Sequence, residues 1–285
     1  MKFSLTNEFK DRLREEILNS NVDFIQKSFD GISYIDITEL LYEFDSKDSK
    51  FILDIIDFET SAKIISELDE DNRKNFLKIF SADEVAKIVD IIDSDDGADI
   101  LSELDVEFRG NVISLIVDSE KSKNLKELLR YDEDVAGGLM AIELVKCNIN
   151  WKINQCIDLI KKQAENVSNI YSVYVTDNKG KLLGKVSLKD ILLAKDNSRI
   201  KDIYDDFVIS VDAKMNQEEV SQIMQKYDLT VLPVVNKRGK LLGRITIDDV
   251  VDVITETAEE ERQIMSGITS DVEEDDSIWK LSNAR

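Results

Sequence analysis

The sequence predicts an α + α/β chain: an N-terminal all-helical superhelical repeat domain, then a tandem pair of βαβ-type units. Two internal repeats and a switch of hydrophobic period near residue 135 point to this arrangement.

Before residue 135, apolar residues recur at spacings of three and four. Ile52, Ile55 and Ile56 form one stripe, Ile64, Ile65 and Leu68 a second, and Phe76, Leu77 and Phe80 a third. Phe44-Asp45, Leu68-Asp69 and Ile92-Asp93 lie 24 residues apart, as do Ile56-Asp57, Phe80-Ser81 and Leu104-Asp105. Each apolar residue precedes an Asp or Ser able to cap the next helix. Helices of about ten residues are therefore expected, stacked in hairpins because one alone cannot bury its face.

After residue 136 the period becomes that of strands. Residues 170–192 align without a gap with 229–251, at an offset of 59. Each copy holds an apolar strand, a turn (Asn178-Lys179-Gly180 or Lys237-Arg238-Gly239) and a second strand opening into a helix. Amphipathic helices are expected ahead of them, at about 153–165 and 216–227.

Composition narrows the chemistry. At 285 residues, 42% hydrophobic and 34% charged, the chain reads as globular, and no run of 18 apolar residues suggests a membrane span. The amino terminus lacks the apolar run of a signal peptide. Histidine is absent, which removes Ser-His-Asp and Cys-His nucleophile systems and His-bearing zinc sites. Cys147 and Cys156 show no paired spacing, so a reducing compartment is expected and neither reads as a metal ligand. No nucleophile–base pair or phosphate loop is visible, and the chain does not read as an enzyme. The net charge is −22, and residues 1–135 carry −17 of it. Such charge disfavours nucleic acid and anionic lipid and suits hard divalent cations. An acidic surface serving only solubility is the plainer alternative.

The paired units resemble cystathionine-β-synthase (CBS) domains. Gly184-Lys185-Val186-Ser187-Leu188-Lys189-Asp190 and Gly243-Arg244-Ile245-Thr246-Ile247-Asp248-Asp249 carry that family's glycine, apolar and Ser/Thr-x-x-Asp pattern. The stretches Arg130 to Met140, Tyr227 to Val235 and Asp248 to Val253, the acidic helix Thr255 to Glu261 and the ending Ser277 to Leu281 resemble MgtE magnesium channels. The resemblance implies a helical domain over 1–135, CBS domains over 136–200 and 201–255, and a plug or connecting helix over 256–285 that leads to an absent membrane domain. It also implies a homodimer beneath its own membrane pore domain, on the cytoplasmic face, that binds Mg²⁺ and closes the pore when magnesium is plentiful. Neither nucleic acid binding nor lipid insertion by this fragment is expected.

Asp95 and Asp99 stand four apart, share a helix face and flank Asp96. By resemblance, Asp95 and Asp99 meet magnesium and Gly138 lends a backbone carbonyl. Asp228, Asp249, Asp252, Glu260 and Glu261 match further magnesium-contacting positions. Three positions depart from the family's acidic pattern: Lys63, Asn216 and Thr257, the last flanked by Glu256 and Glu259. The resemblance further implies ATP at Ser187 (phosphate) and Asp190 (ribose), although Ser172 and Leu229 stand where aromatic residues would stack on adenine. A free-standing CBS protein sensing adenine nucleotide is the alternative reading.

Overall fold

Among the described residues, ten short α-helices make up the first compact unit, residues 1–130, and six strands, four α-helices and a 3-10 turn (Ile200–Asp202) the second, residues 131–285. The computed structural model describes residues 6–163, 170, 172–195 and 197–266. Within its last helix, the side chains of 252, 256, 259–261 and 263–266 fall outside that description.

The helices of the first unit are α1 (Asn7–Leu18), α2 (Val22–Phe29), α3 (Tyr34–Leu41), α4 (Ser46–Ile55), α5 (Phe58–Ser66), α6 (Glu70–Leu77), α7 (Ala82–Ile91), α8 (Ser94–Ser102), α9 (Val106–Leu115) and α10 (Ser119–Leu128). All six residues of the 24-residue repeat occupy N-caps: Asp45, Asp57, Asp69, Ser81, Asp93 and Asp105 begin α4 to α9 in turn. Asp57 accepts from the Thr60 N–H at 2.9 Å, and Asp105 from that of Phe108 at 2.9 Å. Ser81 and Glu84 form a reciprocal capping box. A cap whose side chain accepts from the helix backbone, as at Asp45, Asp57, Asp69, Ser81 and Asp105, is worth roughly 1 kcal/mol.

Helices two apart in sequence pack together: α3 on α5, α5 on α7, α7 on α9 and α8 on α10. Two helices thus make one repeat, which accounts for the 24-residue period. Ile52, Ile64, Ile65, Phe76 and Leu77 are buried as their stripes require. Ile55 and Ile56 are only half-buried, and Leu53 takes the core position instead. The reason is local: α4 ends at Ile55, and the extended backbone of Ile56 turns the chain off the stripe.

In the second unit β1 (Val145–Asn148) pairs parallel with β2 (Val173–Thr176), and β2 pairs antiparallel with β3 (Leu182–Val186). Helix α11 (Ile153–Gln163) lies between β1 and β2, and α12 (Leu188–Leu193) follows β3. The second copy repeats this with β4 (Val211–Asp212), α13 (Gln217–Tyr227), β5 (Val231–Val235), β6 (Leu241–Thr246) and α14 (Ile247–Ser266). Even the bulges correspond, at Val175/Thr176 and Val234/Val235. Sequence reading located neither β1 nor β4, which are too short to show a period. Helix α14 runs unbroken across residues 255 and 256, so the closing CBS helix and the connecting helix are one element.

The two copies interlock reciprocally. Arg244 on β6 exchanges backbone hydrogen bonds with Ala141, just before β1, at 2.8 and 2.9 Å. Lys185 on β3 does the same with Asp205, just before β4, at 2.8 and 2.9 Å. Gly184 and Gly243 permit these approaches, because a Cβ at either would overlap the Asp205 or Ala141 carbonyl. At the hairpin tips, the Leu182 N–H donates to the Gly239 carbonyl and the Leu241 N–H to the Gly180 carbonyl. Gly180 and Gly239 adopt φ of +78° and +72°, as these turns demand.

Candidate metal and nucleotide sites

Helix α8 starts on the repeat cap Asp93 and carries Asp95, Asp96 and Asp99. Asp95 and Asp96 are half-buried and Asp99 is exposed. The Asp95 carboxylate accepts from the Asp96 N–H at 3.0 Å. Acidic side chains suit this position because the helix N-terminus is electropositive.

Arg73 on α6 is the nearby cation. Its guanidinium donates to Glu103 at 2.5 and 2.9 Å and to the Ser66 and Leu68 carbonyls at 2.7 and 3.0 Å. Burial opposes the Arg73 charge. Hydrogen bonds to Glu103, with the charges of Glu103, Asp99 and Asp96, outweigh it and hold the pKa above its ordinary value. Sequence reading did not find this Arg73–Glu103 tie, because its partners lie 30 residues apart.

Asp249 begins α14 beside Asp248. Its Oδ2 accepts from the Thr246 N–H at 2.9 Å and the Thr246 hydroxyl at 2.7 Å. Burial pushes the Asp249 carboxyl up to about 6. The Asp248 charge adds to this, while Thr246 and Arg244 pull against it. Ser187 and Asp190 repeat the arrangement at α12: the Ser187 hydroxyl donates to Asp190 Oδ2 at 2.6 Å, and the Asp190 N–H donates to Ser187 Oγ at 3.0 Å. Both of these residues are exposed.

Asp228 ends α13 in the left-handed region (φ 51°, ψ 51°), exposed. Gly138 donates its N–H to the Val135 carbonyl at 2.8 Å, and a Cβ there would collide with the Asp132 and Glu133 backbone. Asp252, Glu260 and Glu261 lie on α14, but their side chains fall outside the described residues. Residues 277–281 are outside them altogether.

The three departures each have a local structural use. Lys63 pairs with Glu59 at 2.9 Å, Asn216 caps α13 by accepting from the Glu218 N–H at 2.8 Å, and the Thr257 hydroxyl donates to the Val253 carbonyl at 2.8 Å.

Among the described residues, no three carboxylate, thiol or imidazole side chains converge as a metal cage. The donor set is all oxygen, which suits Mg²⁺: that ion keeps several waters and needs only one or two carboxylates. Beside the Ser187/Asp190 motif, Ser172 lines a narrow cleft with Ile170, Tyr174, Val231 and Arg244. The Tyr174 hydroxyl is buried there without a hydrogen-bond partner, and burial raises its pKa. The two cysteines, unremarked by spacing, meet in the core of the first copy through a thiol–thiol hydrogen bond that, with burial, raises the Cys147 pKa.

Two interlocked copies with Ser/Thr-Asp caps, preceded by a helical repeat, define a CBS-pair protein with a helical domain ahead of the pair. The CBS domain family matches residues 134–197 and 200–256, and the MgtE intracellular N domain matches 32–134. The cytosolic domain of the Mg²⁺ channel MgtE, solved in complex with ATP, is 30% identical with a TM-score of 0.79, covering 86% of this chain and 99% of that one. The soluble part of a magnesium transporter is 30% identical with a TM-score of 0.77, covering 88% and 98%. The chain belongs to the MgtE family, a transporter family and not an enzyme family.

Among full-length relatives, the magnesium transporter MgtE of Thermus thermophilus is 38% identical over 146 residues, 51% of this chain and 32% of that protein. That of Enterococcus faecalis is 37% identical over 156 residues, 55% and 34%. The chain therefore spans about a third of the length of these relatives. No helix among the described residues is long and apolar enough to cross a membrane.

Proposed function

We propose that this chain is the cytosolic, magnesium-sensing and gating region of a magnesium channel or transporter, and that Mg²⁺ held by carboxylates of both units favours the closed pore. The likeness to the solved cytosolic domain of the Mg²⁺ channel MgtE carries the reading, with the adjacent carboxylates Asp248 and Asp249 in the first turn of α14 in support. Burial is the main cause of the raised Asp249 pKa of about 6; the Asp248 charge adds a smaller part, and Thr246 and Arg244 offset some of it. A divalent cation relieves repulsion between adjacent carboxylates. Two like charges about 4 Å apart repel by roughly 4 kcal/mol at intermediate dielectric, and the same groups attract once an ion sits between them. The acidic start of α8, with Asp95 and Asp99, offers the same chemistry on the first unit. Gly138, Asp228, Asp252, Glu260 and Glu261 complete the proposed set, with solvent water filling the remaining magnesium coordination.

In this reading the full protein is an integral membrane protein, and the present chain lies at the cytoplasmic face of its pore domain. A homodimer is supported by repeat-equivalent apolar positions left exposed on the closing helices: Leu188 and Leu192 on α12, Ile247 and Val251 on α14. ATP at Ser187 and Asp190 is supported by the paired cap geometry and by the ATP bound to the solved relative. Calorimetry with ATP checks it: a binding isotherm abolished by Asp190→Ala is expected, and no heat from the wild-type chain rejects it.

Small-angle scattering with chelator and with millimolar Mg²⁺ tests the sensing role. Mg²⁺ is expected to compact the wild-type chain and to compact Asp95→Asn and Asp249→Asn less, since asparagine keeps an acceptor oxygen while removing the charge. A shape that is the same with and without Mg²⁺ rejects the gating role.

A further inference from the structure

A surface depression of about 420 Å³ lies on the second unit, away from the Ser/Thr-Asp motifs. Lys214, Lys237 and Arg238 line it, with Asp212 the one acidic side chain and Tyr131 an aromatic wall. In a chain of net charge −22, three cations against one carboxylate is a local reversal of sign.

Local turn bonds order the backbone that carries these exposed side chains. Asn236 Oδ1 accepts from the Arg238 and Lys240 N–H groups at 2.9 and 3.1 Å, and the left-handed Gly239 closes that turn. Lys214 sits on the turn after β4, where its N–H donates to Asp212 Oδ1 at 3.0 Å. One oxygen of Asp212, the acidic group among the described lining residues, is therefore already engaged. Tyr131 is held because Gly137 has no side chain: a Cβ at 137 would overlap the ring. The strongly acidic junction residues Asp132, Glu133 and Asp134 are not part of the lining.

We infer that this depression binds a phosphate-bearing anion, with Lys214, Lys237 and Arg238 taking the phosphate oxygens and the Tyr131 ring lying against a flat organic portion. Guanidinium and ammonium groups lining one concavity match the charge and the multiple acceptors of a phosphate or polyphosphate. A free nucleotide and a lipid headgroup share this chemistry. The site uses none of the proposed magnesium carboxylates and neither Ser187 nor Asp190, so it stands apart from the proposed function.

Inorganic tripolyphosphate, titrated by calorimetry into the 285-residue chain under chelating conditions, provides the test. Saturable binding is expected, weakened about tenfold or more by the Lys237→Glu/Arg238→Glu double variant and several-fold by raising KCl from about 50 to about 300 mM. Both reversed side chains are exposed, and Lys214→Glu serves as an independent second variant. Absence of saturable binding overturns the inference, as does binding indifferent to both charge-reversed variants. Sedimentation with phosphatidylglycerol vesicles separates the two sources: vesicle capture that tripolyphosphate displaces assigns a lipid headgroup, whereas tripolyphosphate binding without capture assigns a free phosphate compound.

Discussion

Ser81 and Glu84 show how much a single residue pair contributes. The Glu84 carboxylate accepts from the Ser81 N–H and hydroxyl, both at 2.7 Å, and from Lys50 at 2.8 Å. Lys50 first, then Ser81, pull its pKa from the ordinary carboxylate value to about 2. The folded form is thus favoured by the ionised carboxylate. This stabilisation is complete above the unfolded pKa of about 4.5 and is lost as pH falls through about 2. Glu84→Gln is expected to lose less stability than wild type over that acid window, measured by urea unfolding at each pH. Ser81→Ala removes the hydroxyl half of the box and should cost about 1 kcal/mol at neutral pH.

At the scale of elements, the reciprocal strand exchange is the most demanding contact in the second unit. Gly243 lets β6 lie against the Ala141 carbonyl, and a methyl there would overlap that oxygen and press on Met140. The Ala141 carbonyl cannot give way easily, since Ala141 is bonded on both sides of the contact to Arg244. Gly243→Ala should therefore cost about 1–3 kcal/mol, read as a lower urea midpoint of the transition that reports the second unit. An unchanged midpoint would mean the exchange carries little of the stability.

Elements also show what the sequence could reveal. The caps of α4 to α9 were legible because an Asp or Ser after an apolar residue is a local signal repeated at fixed spacing. The hairpins were legible because two copies agreed. Strands β1 and β4, of 4 and 2 residues, were not, since a period of two needs more length to register. Asp249 was found through its motif, but its raised pKa depends on burial that no local pattern reports. The contact of Cys147 with Cys156, and of Arg73 with Glu103, arises only when separate elements pack.

At the scale of the whole molecule, the repeat that builds the CBS pair also leaves the same face uncovered twice. Leu188 and Leu192 on α12 correspond to Ile247 and Val251 on α14 at the 59-residue offset. Leu192 is 78% exposed, Leu193 75% and Val251 50%, although neighbouring positions on the same helices, Ile191 and Val250, are fully packed. The matched exposure of large aliphatic side chains on two repeat-equivalent helices supports the proposed homodimer. An internal two-fold repeat presents matching faces, so a second copy of the chain can cover both with one symmetric contact. Leu192→Asp together with Val251→Asp should leave the fold intact, because neither side chain enters the core. It should also shift the light-scattering mass from that of a dimer to the 32.5 kDa of one chain. A wild-type mass already equal to one chain would remove the dimer from the proposed function and leave the apolar face to another partner.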